Sequence, residues 1–182
     1  MATYVALLYS VIIDRKRRVA MADLRRVAEK LGFGNTRTLV STGNLIFEAD
    51  DQPVSDIEAA LEAAFAAFHG KHVDIIIRNA DRWRVLIAAN PFPDESASTP
   101  DRVVVRVMRQ RAEEQVLDRC RRVQANGEQV CLVDGDLWIA FAGKPSESKL
   151  PGVLAPGRMG GIGTTRNWNT VRRLGEMLDS RC

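Results

Sequence analysis

Twice along this chain an apolar, strand-length run gives way to a helix-spaced stripe and then to two short strands joined at a tight turn. In the first copy, residues 3–9 are a continuous apolar run too short for a helix, as expected of a buried central strand. Leu24, Val27, Ala28 and Leu31 then fall at i, i+3, i+4 and i+7, one stripe of a helix that stops at Gly32 and Gly34. Residues 37–40 and 45–47 flank Ser41-Thr42-Gly43-Asn44, a hairpin signal. Ile57, Leu61, Ala64, Phe65 and Phe68 mark a second helix, followed after Gly70 by a strand at 73–77.

The second copy repeats the order. It has a strand at 103–108, a helix turning Ala112, Val116, Cys120 and Val123 inward, and strands at 129–133 and 137–141 around Asp134-Gly135-Asp136. Two such runs, each with a hairpin in the same place, predict an α+β fold rather than a doubly wound parallel sheet. The expectation is two ferredoxin-like β-α-β-β-α repeats with mixed or antiparallel sheets backed by helices. The halves are expected at 1–89 and 102–182. They are joined by the Pro- and Ser-rich connector 90–101, and the second contains an irregular glycine-rich loop at 143–163 and a closing helix with Trp168, Val171, Leu174 and Leu178 inward. A shorter helix is expected around Trp83, Leu86 and Ile87, capped by Asn79.

Composition narrows the class. Among 182 residues no apolar run approaches the roughly 20 a membrane span needs. The N-terminus enters a strand directly, without the basic region and cleavage site of a signal peptide, so a cytoplasmic protein is expected. Three cysteines, Cys120, Cys131 and Cys182, without CxxC spacing suggest neither a disulfide framework nor a zinc site. The net charge of +3 is far from that of a dedicated nucleic-acid surface. One dense run, Arg15, Lys16, Arg17 and Arg18, is the candidate for nucleic-acid association through phosphates.

The strongest candidate for chemistry is Gly160-Gly161-Ile162-Gly163-Thr164-Thr165-Arg166-Asn167-Trp168-Asn169-Thr170. Glycines ahead of a helix let backbone amides converge on an anion, and Arg166 adds a bidentate grip. A pocket for a small phosphorylated ligand is therefore expected from Lys149, Thr164, Thr165, Arg166 and Asn167. The alternative is structural, with Thr164 or Thr165 capping the helix and Trp168 filling the core. The run lacks the lysine of a Walker loop. His69 and His72 are the only histidines, and they could bind a metal only with a third ligand from elsewhere, so no metal or cofactor is expected. Asp50-Asp51 and the pair Asp134 and Asp136 fall at expected turns, where carboxylates serve turn geometry. No catalytic constellation is recognisable. An enzyme on a small phosphorylated substrate would need a carboxylate beside Arg166.

Several segments together resemble the domain of unknown function 1697 family. They are Tyr4-Val5-Ala6-Leu7-Leu8, Met21-Ala22-Asp23-Leu24, Leu31-Gly32-Phe33, Thr42-Gly43-Asn44-Leu45-Ile46-Phe47, Asn90-Pro91-Phe92, Ser148-Lys149-Leu150 and Thr164-Thr165-Arg166-Asn167-Trp168-Asn169-Thr170. The last is the most specific. The resemblance implies a bacterial protein with a two-part α+β fold and implies no reaction. This chain departs from the family pattern at residues 9–16, where bulky residues stand in place of an Arg-Gly-Ile-Asn stretch and glycines, and at Ser41-Thr42, where a Gln-Ser pair is more usual.

Overall fold

Strand β1 (Ala2–Leu8) is apolar on both faces, and residues 4–8 are buried, which only a central strand allows. In the computed structural model, which describes residues 1–155 and 161–180, β1 is flanked on both sides. The first sheet adds β2 (Gly34–Leu39), β3 (Asn44–Ala49) and β4 (Ile75–Asn79) in the order β2-β3-β1-β4, with every pairing antiparallel. Helices α1 (Met21–Lys30) and α2 (Val54–His69) back one face. Their Leu24, Val27, Ile57, Leu61 and Phe65 meet Tyr4, Ala6, Leu8, Leu45, Phe47, Ile75 and Ile77 in one cluster. Helix α2 stops where Gly70 turns left-handed at φ 74°, its N–H bonding Ala66 O at 2.8 Å.

The same helix covers the open edge of β4. The N–H groups of Ile75 and Ile77 donate to the carboxylates of Glu62 (2.8 Å) and Glu58 (2.9 Å), one helical turn apart on α2. Edge amides that would template another strand are thereby satisfied within the unit.

The second sheet repeats the topology with β5 (Val103–Met108), β6 (Gln129–Val133), β7 (Asp136–Ala140) and β8 (Gly163–Asn167), in the order β6-β7-β5-β8 and again wholly antiparallel. Val104, Met108, Leu137 and Ile139 meet Val116, Leu117 and Cys120 of α5 (Glu114–Val123) and Leu150 of α6 (Leu150–Val153). Asp134 and Gly135 link β6 to β7 with φ 50° and 85°, as the Asp-Gly signal requires of a two-residue hairpin. The α+β class and the twofold repeat are thus present, each repeat a four-stranded antiparallel sheet backed by helices.

The chain divides into one unit of Met1–Leu86 with Arg173–Cys182 and a second of Ile87–Arg172. The division falls inside helices α3 (Ala80–Ala88) and α7 (Trp168–Asp179) rather than at the expected connector, which itself folds into α4 (Pro93–Ser98). Asn79 caps α3 as expected, accepting from the N–H of Arg82 at 2.9 Å. Within 143–163, a 3-10 turn (Pro145–Glu147) and α6 are formed, and residues 156–160, including Gly160, lie outside those described.

Where β2 gives way to the first hairpin, Val40 sits at φ 49°, a left-handed conformation that crowds a β-branched side chain, and its side chain is exposed. Val40→Asn is therefore expected to stabilise by about 1 kcal/mol, since asparagine tolerates this region and little packing is lost. A urea midpoint shifted upward at unchanged slope would show it. A midpoint that falls would mean that the valine methyls contribute more than the strain costs.

Candidate functional site

The segment expected to feed a helix is a strand. Gly163, Thr164, Thr165, Arg166 and Asn167 pair residue for residue with β5, from Met108↔Gly163 to Val104↔Asn167. The physical reason is that two β-branched threonines favour extended backbone and β5 presents an open edge, which outweighs the cap-like look of the sequence. The helix begins later, at Trp168, and the cap is Asn167, whose Oδ1 accepts the Thr170 N–H at 3.0 Å, rather than Thr164 or Thr165.

Arg166 consequently points inward. Its guanidinium is buried and donates to Thr164 Oγ1 (2.8 Å) and the Thr165 carbonyl (3.0 Å). Burial depresses its pKa to about 10, which leaves it charged at neutral pH. Lys149 is exposed at the start of α6. Of the expected anion-site residues, the structure therefore puts Thr164, Thr165, Arg166 and Asn167 on one strand, with two of them directly bonded to Arg166.

Beyond this strand the same run opens onto a cleft of about 520 Å³ in the second unit. Trp168, Asn169 and Arg172 of α7 form one wall; Asn90 and, from α4, Pro93, Ser96 and Ala97 form the other. The far wall is built rigidly: Asn90 donates to Ser96 Oγ (2.7 Å) and accepts from the Phe92 N–H (2.9 Å), so the Asn-Pro-Phe segment is locked onto α4. Trp168 is half-buried, its ring 6.0 Å from that of the buried Trp138. A larger cleft of about 880 Å³ in the first unit is lined by charges of both signs, among them Arg37, Glu48, Arg84 and Asp179. Arg84 binds Asp179 and Asp81 (both 3.0 Å), and Arg37 bonds the Ser180 carbonyl, so these groups largely serve one another.

The basic run sits on a built loop. Ile12 bridges Arg18, the Asp14 carboxylate takes the Lys16 and Arg17 N–H groups, and Lys71 Nζ bonds the Ile13 carbonyl at 2.7 Å. The Lys16 N–H foremost, and then the Arg17 guanidinium that donates to the same carboxylate, hold the Asp14 carboxyl below its ordinary pKa. Val11, Ile13 and Val19 anchor the loop in the core while Arg15, Lys16, Arg17 and Arg18 are exposed.

The two histidines part company. His69 packs against Phe65 in a tilted contact and edge-on to Phe68 (centroids 4.4 and 4.8 Å), and burial lowers its pKa. His72 is exposed beside Asp74. At the second hairpin Asp134 binds Arg111 and Asp136 accepts the Met108 N–H at 2.8 Å, so both carboxylates hold the fold there. Cys120 is buried in the second core, which raises its thiol pKa, and Cys131 is half-buried on β6. Among the described residues no helix is long and apolar enough to cross a membrane.

These features define a duplicated α+β protein, with a cleft of mixed polar and apolar lining beside the last helix. The chain belongs to the family described as "Protein of unknown function (DUF1697)", which matches residues 1–138. The closing run from Thr164 to Thr170 lies beyond that match. In fold the chain is similar to the conserved bacterial protein SP0830 from Streptococcus pneumoniae, with a TM-score of 0.75 over 97% of this chain and 98% of that one. The identity is 20%, so the likeness is one of fold. Comparison with curated proteins returns no match.

Proposed function

We propose that this protein binds a small organic anion carrying a flat ring, such as a nucleoside monophosphate, in the cleft between α4 and the start of α7. The observation that supports this is the chemistry of one wall. Trp168, Asn169 and Arg172 put an indole, an amide and a guanidinium on the lining face of α7. An indole face stacks on a ring, an amide reads its edge, and a guanidinium takes a phosphate or carboxylate in bidentate fashion. Arg172, exposed on α7, replaces the buried Arg166 as the anion-binding residue of the sequence-based reading.

Tryptophan fluorescence tests it directly. Trp83 and Trp138 are 0% and 1% exposed, so a ligand-dependent change reports Trp168. Titration with nucleoside monophosphates is expected to saturate, with ring-free phosphosugars and sulfate binding more weakly. Arg172→Ala is expected to weaken binding by about tenfold or more, the value of one charge-assisted hydrogen bond. Identical titrations of wild type and Arg172→Ala, or no response to any of these anions, would refute the reading.

A further inference from the structure

We infer that Glu62, His72 and Asp74 form a binding site for one divalent transition-metal ion of the zinc class. The sequence sets the condition: a histidine here needs further ligands from elsewhere in the chain. The fold supplies two. Helix α2 runs back along the edge of β4, which brings Glu62 over the turn that carries His72 and Asp74. One ligand atom from each residue lies within 4.8 Å of the others, and His72 Nε2 is 3.0 Å from Asp74 Oδ1.

Those separations suit a single ion. Ligands about 2.1 Å from a tetrahedral zinc stand about 3.4 Å from one another, so side-chain shifts of about an ångström complete the site. Two of the three positions are fixed by the fold. The Glu62 carboxylate is oriented by the Ile75 N–H, and Asp74 directly precedes a strand paired along its length with β1. Such outer bonds hold ligating groups in place. The side chains of His72 and Asp74 are 60% and 34% exposed, so water can fill the remaining positions. One imidazole with two carboxylates favours zinc, nickel or cobalt over calcium and magnesium, which prefer oxygen alone. Lys71, the nearest cation in sequence, directs its ammonium to the carbonyls of Ile12 and Ile13. The site belongs to the first unit and the nucleotide-size cleft to the second, so each stands or falls alone.

The test is calorimetric titration of Zn²⁺ and visible absorption on titrating Co²⁺, using the full chain after treatment with a chelator. One equivalent is expected to bind. His72→Ala and Asp74→Asn should each weaken binding by about tenfold or more. Glu62→Gln, which keeps an acceptor for the Ile75 N–H, should do the same without loss of thermal stability. Asp51→Asn, an exposed carboxylate outside the trio, should bind as wild type does. In proton spectra Zn²⁺ should move the ring signals of His72 and leave those of His69 in place. Absence of binding by wild type, undiminished binding by His72→Ala, or a shift of the His69 signals instead would each overturn the assignment.

Discussion

Trp138→Ala is expected to destabilise the protein by about 3–5 kcal/mol, the range for truncating a buried aromatic residue in a core that relaxes only partly. Trp138 lies on β7, an inner strand of the second sheet, 1% exposed and in register with Val105 on one side and Cys131 on the other. The cavity would open beside the ring of Trp168. The aromatic pair adds about 0.5–1.5 kcal/mol to the loss. Guanidinium denaturation gives the size of the effect. Trp138→Phe, which keeps a ring, should cost clearly less and leave the first turn of α7 in place. A loss under about 1 kcal/mol for the alanine variant would mean that the second sheet does not depend on this residue for its packing.

The effect would extend to the cleft, because Trp168 is both a neighbour of Trp138 and part of the cleft wall. Trp138→Ala is therefore expected to weaken the proposed anion binding indirectly, whereas Arg172→Ala removes a lining group of the cleft itself. The two variants separate scaffold from contact.

The repeat was legible because its signals are redundant. Residues 3–9 read as a buried central strand and 103–108 as a strand, Gly70 follows the last apolar position of a helix, and Asp134-Gly135 names its own turn type. Strand β8 was hidden for the opposite reason. Gly-Thr-Thr-Arg-Asn carries no apolar alternation, and it is a strand only because β5, a hundred-odd positions into the chain, has an edge to give it. Arg166 followed the same error, since a side chain that reads as solvent-facing at a helix start becomes inward-facing on a strand. The trio at Glu62 escaped notice because Glu62 looks like a solvent-facing turn of α2. Its partners are 10 and 12 residues on, across a helix-to-strand reversal whose geometry the spacing does not encode. Two glutamates at i and i+4 in the otherwise apolar stretch 57–68 of α2 were the available signal, and they proved to mark the edge of β4.

A second large loss is expected from Gly43→Ala, and here two costs can be pulled apart. Gly43 has φ 79°, which costs an alanine about 1–2 kcal/mol. An added Cβ would also stand 2.8 Å from Leu8 Cβ and 2.9 Å from Val11 Cγ1, adding about 1–3 kcal/mol of overpacking. The carbonyl of Gly43 accepts the Leu8 N–H at 2.9 Å, so the hairpin cannot back away from β1 without giving up that bond. Val11 is buried in the first core, and its side chain seats directly against Gly43. Gly32→Ala supplies the comparison, because Gly32 has φ 82° and nothing within 4 Å of an added Cβ. It should show the conformational cost alone, about 1 kcal/mol after the unfolded chain's lost freedom is offset. Gly43→Ala is expected to lose about 2–4 kcal/mol, and Val11→Ala introduced beside it should recover part of that difference. Equal losses at the two glycines would show that the loop, rather than resisting, shifts to admit the methyl group.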